Sequence, residues 1–202
     1  MTPEELRVAL AAARDEVESA CAALAPKHVG GESERFNRAT DRYHSLQRDL
    51  ARALGEECAV PVEWSAPWCV GAPLPFVIAS GSRLFIVYCL RESGLAIVQF
   101  HRCLIHKFGA PNDEARSGHP LSTRGLGGYS AHTVERSSWI AEQERINSVH
   151  RNHRPESFTE LTHYVLPFHD ETFECLAKGH TIRESLSTFT EAVQQCTNEA
   201  LV

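Results

Sequence analysis

Apolar residues recur at steps of three and four along three stretches of the chain. Leu6, Leu10, Ala13, Val17, Ala20 and Leu24 follow this spacing near the N-terminus. Phe36, Ala39, Tyr43, Leu46, Leu50 and Ala53 repeat it, as do Ile182, Leu186, Phe189, Val193, Cys196 and Ala200 near the C-terminus. On an α-helix such spacing holds one narrow stripe against a partner. It predicts helices over about 3–24, 33–54 and 181–201, the first two joined through residues 25–31 as an antiparallel hairpin. The ends agree. Thr2-Pro3-Glu4-Glu5 reads as a capping box with proline at the first helical position, Thr181-Ile182-Arg183-Glu184 reads as a second box, and Gly55 reads as a stop. The seams predict packing within the chain, a three-helix cluster being one form of it; their alternative use is a homodimer interface. Alanine-rich seam positions bury little area each, so the hairpin needs the rest of the chain to be stable.

From residue 58 the pattern shortens to strand-length apolar runs. Residues 58–64 predict an edge strand, because Pro61 cannot donate to a ladder. Residues 74–79 and 83–90 flank Ser80-Gly81-Ser82 and predict a hairpin. A long strand is expected from 95 to about 107, and a second hairpin from 161–168 and 171–177 about His169-Asp170. A helix is expected over about 138–149, after a glycine-rich loop spanning roughly 108–135. A loop that long in a compact domain is functional or disordered. The predicted class is α+β: five or six mostly antiparallel strands with helices at both ends. The predicted organisation is a helical hairpin over 1–56, a β-rich core over 57–180 and a C-terminal helix over 181–202, together one compact unit.

Composition narrows the function classes. The 202 residues are 43% hydrophobic and 23% charged, ordinary for a globular chain, and no run has the length of a membrane helix. The acidic start is unlike a signal peptide, so a cytoplasmic protein is expected. The seven cysteines are scattered without a C-x-x-C, which argues against a disulfide framework or a zinc ribbon. Net charge is −6, yet residues 101–155 carry eight basic and five acidic groups and six of the eleven histidines. A locally cationic middle inside an acidic protein suits a small anionic molecule. It lacks the basic excess that tracks duplex nucleic acid, and no membrane partner is expected.

Four polar strings are candidates for chemistry. Residues 109–120 place Asn112, Asp113, Glu114, Arg116 and His119 close together, more than a turn requires. Residues 167–175 hold His169, Asp170 and Glu174 about a hairpin tip, where a histidine beside carboxylates can act as a general base or supply metal ligands. Cys175 lies near His169 in sequence, but adjacent strand residues face opposite ways, which disfavours a Cys–His nucleophile. His150-Arg151-Asn152-His153 closes the middle helix, where cations suit the dipole. The glycines of Arg124-Gly125-Leu126-Gly127-Gly128-Tyr129 would let backbone amides approach a phosphate, but the Walker pattern and its lysine are absent and the segment reads chiefly as a flexible loop.

Two readings follow. In the first, the 109–120 loop, the 150–153 helix end and the 169–174 tip converge on the site of a small-molecule enzyme or ligand-binding protein. A metal form would use His119, His169 and Asp113, or an acid from the tip, for Zn²⁺ or non-haem Fe(II). A metal-free form would use His169 with Asp170 or Glu174 as the acid/base, with Arg116 or Arg124 holding an anion. In the second, the protein is a non-catalytic interaction module of inhibitor, immunity or adaptor type that oligomerises through its helices. A pocket that buries the histidine and acid side chains beside aromatics such as Trp64, Trp68, Phe108 and Trp139 separates the first reading from the second, which leaves those loops convex and exposed.

Overall fold

The structure, a computed structural model, describes residues 1–24 and 30–202. Helices α1 (Pro3–Leu24) and α2 (Gly30–Leu54) pack on each other as predicted, α2 beginning earlier than its periodicity indicates. Residues 25–29 of the predicted connection lie outside the described residues. The first capping box forms: the Thr2 N–H donates to Glu5 at 2.7 Å and the Glu5 N–H to Thr2 Oγ1 at 3.3 Å. Gly55, at φ +74°, ends α2, where the Glu56 N–H returns to the Ala51 carbonyl.

Among the described residues nine strands form two antiparallel sheets, more than the five or six predicted. Strands β1 (Cys58–Pro61), β2 (Phe76–Ser80), β3 (Arg83–Cys89), β4 (Leu95–His101), β5 (Ile105–Gly109) and β6 (His132–Glu135) precede α3 (Ser138–Asn147) and the short helix α4 (Glu156–Thr159). After them come β7 (Thr162–Pro167), β8 (Thr172–Ala177), β9 (Gly179–Ser185) and α5 (Phe189–Leu201). One sheet has the order β1-β6-β7-β8-β5, which puts β1 at an edge as its proline requires, and the other has the order β2-β3-β4-β9.

The extra strands come from two corners. The run predicted as one strand over 95–107 breaks at Arg102, whose φ of +49° turns the chain from β4 in one sheet to β5 in the other. Cys103, Leu104 and Ile105 carry the apolar run through the corner although Cys103 alone of the three is buried, and this hid the break. Beside it the chain crosses back at Lys178, whose N–H donates to the His101 carbonyl, while the Leu104 N–H donates to Leu176. The C-terminal helix predicted over 181–201 is therefore two elements. Residues 179–185 pair along the whole of β4, and the helix starts only at Phe189. Its capping box is Thr188 with Glu191, a repeat of the T-x-x-E pattern seven residues after the one predicted. Replacing Thr188 by alanine should cost about 1 kcal/mol in urea unfolding; an unchanged midpoint would mean that packing alone fixes where α5 begins.

The sheets stack face to face. Leu84, Ile86 and Tyr88 of β3 and Val98 and Phe100 of β4 meet Tyr164 and Leu166 of β7 and Phe173 and Cys175 of β8. On the far side of the four-stranded sheet, Phe85, Val87 and Ile97 pack against Ala192, Cys196 and Ala200 of α5. The three helices thus form no cluster: α1 and α2 pair together, and α5 covers a sheet. Leu186, placed in the predicted seam, is 92% exposed. No helix among the described residues is long and apolar enough to cross a membrane.

Candidate functional site

Register decides which side chains leave the inter-sheet core. Cross-strand partners share a face, so the pairings Pro61–His132, His132–Val165, Val165–Glu174 and Glu174–Lys107 form one row across the outer face of the five-stranded sheet. His163 of β7 lies one pair along on this face, diagonal to Glu174. The loop over 110–131 and the start of α3 cover the row, and Ala59, Leu121, Leu126, Val134 and Val165 close their contact.

Glu174 is the hub. His163 Nε2 lies 2.9 Å from Glu174 Oε2, and His119 Nε2 lies 3.5 Å from Oε1. Both imidazoles are about 95% buried. Their tautomers follow from the opposite ring nitrogens. The Leu121 N–H donates to His119 Nδ1 at 3.1 Å. Ser137 Oγ lies 2.9 Å from His163 Nδ1 while accepting the Ile140 N–H as the cap of α3, which leaves its hydroxyl proton for the ring. Each Nε2 therefore carries the proton and donates toward Glu174. Burial opposes ionisation of Glu174, but the donors on His119 and His163, with the charges of His163 and Lys107, outweigh it and hold the carboxyl well below its ordinary range. Lys107 Nζ is 3.9 Å from Glu174 and 3.9 Å from the centre of the Trp139 ring, which also meets His163 edge-on.

These groups line a cavity of about 450 Å³, with Pro111, Leu121 and Glu57 among its other walls. Glu57 is engaged, accepting from the Ser138 N–H at 2.7 Å and from Arg124 Nη1 at 3.2 Å.

Of the three polar segments expected to converge, two do. The Asp113 N–H donates to the His169 carbonyl at 2.9 Å, Thr172 Oγ1 donates to the Pro111 carbonyl at 2.8 Å, and His119 reaches Glu174. The third stays with its own helix: His153 meets Asn147, Glu144 and Phe158. The expected partnerships are also exchanged. His169 pairs with neither Asp170 nor Glu174; its Nδ1 lies 2.9 Å from Asp113 and 3.2 Å from the Tyr129 hydroxyl, which donates to Asp113 at 2.6 Å. The Tyr129 hydroxyl holds the Asp113 carboxyl below its ordinary range, and burial raises the phenol of Tyr129. Asp170 is exposed and lines a separate hollow of about 280 Å³ with Phe76 and Phe189.

The proposed metal trio His119, His169 and Asp113 is not assembled. His119 belongs to Glu174 and His169 to Asp113, and no group of three or more His, Cys, Asp or Glu among the described residues is arranged to hold a metal ion. Asn112 accepts the Ala115 N–H at 3.1 Å, a turn contact, and Glu114 is exposed. Arg124 is spent on Glu56 and Glu57, each at 3.2 Å, so it straps the loop to the end of α2 instead of facing a ligand. Arg116 stacks over Tyr129 with 5.2 Å to the ring centre. Cys175 is wholly buried between the sheets, away from His169.

Sequence reasoning missed His163, Lys107 and Ser137 as site residues, while of Trp64, Trp68, Phe108 and Trp139, expected to wall the pocket, Trp139 does so. A signal for His163 existed. A two-residue turn at His169-Asp170 pairs Phe168 with Glu171, and counting back from it puts His163 and Glu174 on one face. No protein family, curated protein or solved structure matches the chain.

Proposed function

We propose that the cavity over Glu174 binds a small molecule carrying an anionic group, and that His119 and Glu174 are the donor and acceptor for acid–base chemistry on it. One observation carries this reading: the largely buried Glu174 carboxylate, bracketed by two buried imidazoles, lines a cavity of about 450 Å³ beside Trp139. An interaction module has no need to bury such a group, because an unsatisfied charge there is costly.

The roles follow from the distances. His163 is fixed on both ring nitrogens and holds Glu174 in place. His119, fixed through Nδ1 but 3.5 Å from Glu174, keeps an N–H free to turn toward a ligand oxygen. Lys107, on the rim and above Trp139, supplies the charge for an anionic group. Glu174, held ionised, accepts a ligand N–H or O–H. His169, with Asp113 and Tyr129, anchors the loop to the hairpin tip. The protein works in the cytosol on this reading, where seven free thiols are stable.

The test is ligand-observed NMR with a panel of small carboxylates, phosphate esters, amides and amines. Carboxylates or phosphate esters should bind, and Lys107→Gln and Glu174→Gln should each weaken them by about tenfold or more, the worth of one charge-assisted contact. No binding by any anionic member, or binding indifferent to both substitutions, would overturn the reading.

A further inference from the structure

A second polar cluster lies on the other side of the glycine-rich loop, built from residues that the cavity over Glu174 does not use. It joins His44 and Arg48 of α2, Arg116 of the 110–131 loop and His132 of β6. The loop glycines hold these groups together. A Cβ on Gly127 would stand 3.3 Å from His44 Nδ1 and 3.6 Å from His132 Nε2, one on Gly128 would run into the Arg116 guanidinium, and one on Gly125 would run into the Arg48 side chain. Three glycines in four residues are therefore the space into which two arginines and two histidines fold. From sequence these glycines read chiefly as a loop, with approach of backbone amides to a phosphate as the weaker reading.

The cluster is rich in donors. His132 is 1% exposed. Its Nε2 accepts the Gly127 N–H at 3.2 Å, so Nδ1 carries the proton, and Nδ1 is buried short of a well-formed hydrogen bond, with the Ser130 backbone beside the ring. Arg116 Nε and Nη2 are buried and unpartnered. No ion pair among the described residues involves Arg48 or Arg116, and Asp41 on α2 is the acid that opposes the cluster's charge at His44. Buried donors without acceptors cost on the order of 1–3 kcal/mol each, more when charged. The charges of Arg48 on α2 and Arg116 on the loop, brought toward the same two imidazoles, repel one another as well. Within a cluster whose other members stay partly open to solvent, this arrangement suits a compact oxyanion. A tetrahedral phosphate group offers several acceptor oxygens to a guanidinium fork, an imidazole N–H and a second arginine at once.

We propose that Arg116, Arg48, His44 and His132 form a binding site for a phosphate group, distinct from the cavity over Glu174. Inorganic phosphate and a phosphate monoester present the same oxyanion, and the monoester also needs room for its alcohol.

Isothermal titration calorimetry of the whole chain tests this with three probes: inorganic phosphate, glycerol phosphate and acetate, at constant ionic strength. The expected result is saturable binding of inorganic phosphate below millimolar concentration, acetate at least tenfold weaker, and a tenfold or greater loss in Arg116→Gln. Glycerol phosphate binding as tightly as phosphate would mark a phosphorylated metabolite as occupant; much weaker binding would mark the free ion. Arg48→Gln, at a half-buried position of α2, repeats the test should Arg116→Gln disturb the loop. Lys107→Gln should leave phosphate binding unchanged, which separates this site from the cavity over Glu174. Absence of saturable phosphate binding, or binding unchanged in both arginine variants, overturns the proposal and leaves ordered water as the partner of these donors.

Discussion

Replacing Gly125 by alanine should destabilise the chain by about 2–4 kcal/mol, from a φ that favours glycine and from a clash that cannot relax. Gly125 has φ +89°, and an added Cβ would meet both the Arg48 side chain and, at 2.9 Å, the carbonyl oxygen of Ala59. Arg48 can move, but Ala59 cannot. It is wholly buried in β1, and its N–H donates to the Arg124 carbonyl immediately before the glycine. The methyl group would therefore push the 121–126 turn off the sheet edge and open the contact of Leu121 and Leu126 with Val134 and Val165. Gly128→Ala is the control, since what it would meet is the flexible end of Arg116. Urea unfolding should show Gly125→Ala well below Gly128→Ala. Equal midpoints would mean that the loop contributes little to the sheet beneath it.

This contrast shows where a single chain's pattern stops being informative. Helix spacing at steps of three and four needs only local periodicity, so α1, α2 and the two hairpins were legible. The apolar run from 95 to 107 carried no mark of its corner, because Phe100, Cys103, Leu104 and Ile105 keep it apolar on either side of Arg102, a non-glycine residue with positive φ. The Thr181 box misled because β9 uses the same polar residues for strand pairing: Thr181 opposes Gln99, and Glu184 opposes Ala96. The site was half legible. The reading found the segments that touch but paired His169 with its neighbour in sequence, whereas at a two-residue turn the reaching partner is Asp113, brought from a different loop. His163 was hidden inside an apolar strand, and the hairpin register that reveals it requires trusting the turn to the residue.

The stability of the chain should fall by about 3 kcal/mol between pH 6.5 and pH 4 on account of His132 alone. Burial, chiefly, and then the charges of His44, Arg48 and Arg116 push its pKa down from the ordinary 6.5 to about 4. The backbone of Ser130 favours the charged form but does not restore it. Above pH 6.5 the imidazole is neutral folded or unfolded and makes no difference. As the pH falls through 6.5 the unfolded chain takes up a proton that the folded chain refuses, so stability drops until the folded pKa is passed, and the loss then levels off. Glu174 acts in another window: its depressed carboxyl loses its contribution only below the ordinary carboxylate range. His132→Gln keeps an acceptor for the Gly127 N–H and cannot titrate, so the difference between wild type and variant isolates the effect. In urea unfolding at pH 7, 6, 5 and 4 in acetate and cacodylate, wild type should lose about 3 kcal/mol more than the variant over this range. Parallel losses would refute the linkage. Repeating the series in phosphate buffer joins this prediction to the oxyanion site. An anion against His132 Nδ1 stabilises the imidazolium, so phosphate should raise the folded pKa and flatten the wild-type slope, while leaving that of His132→Gln nearly as it was.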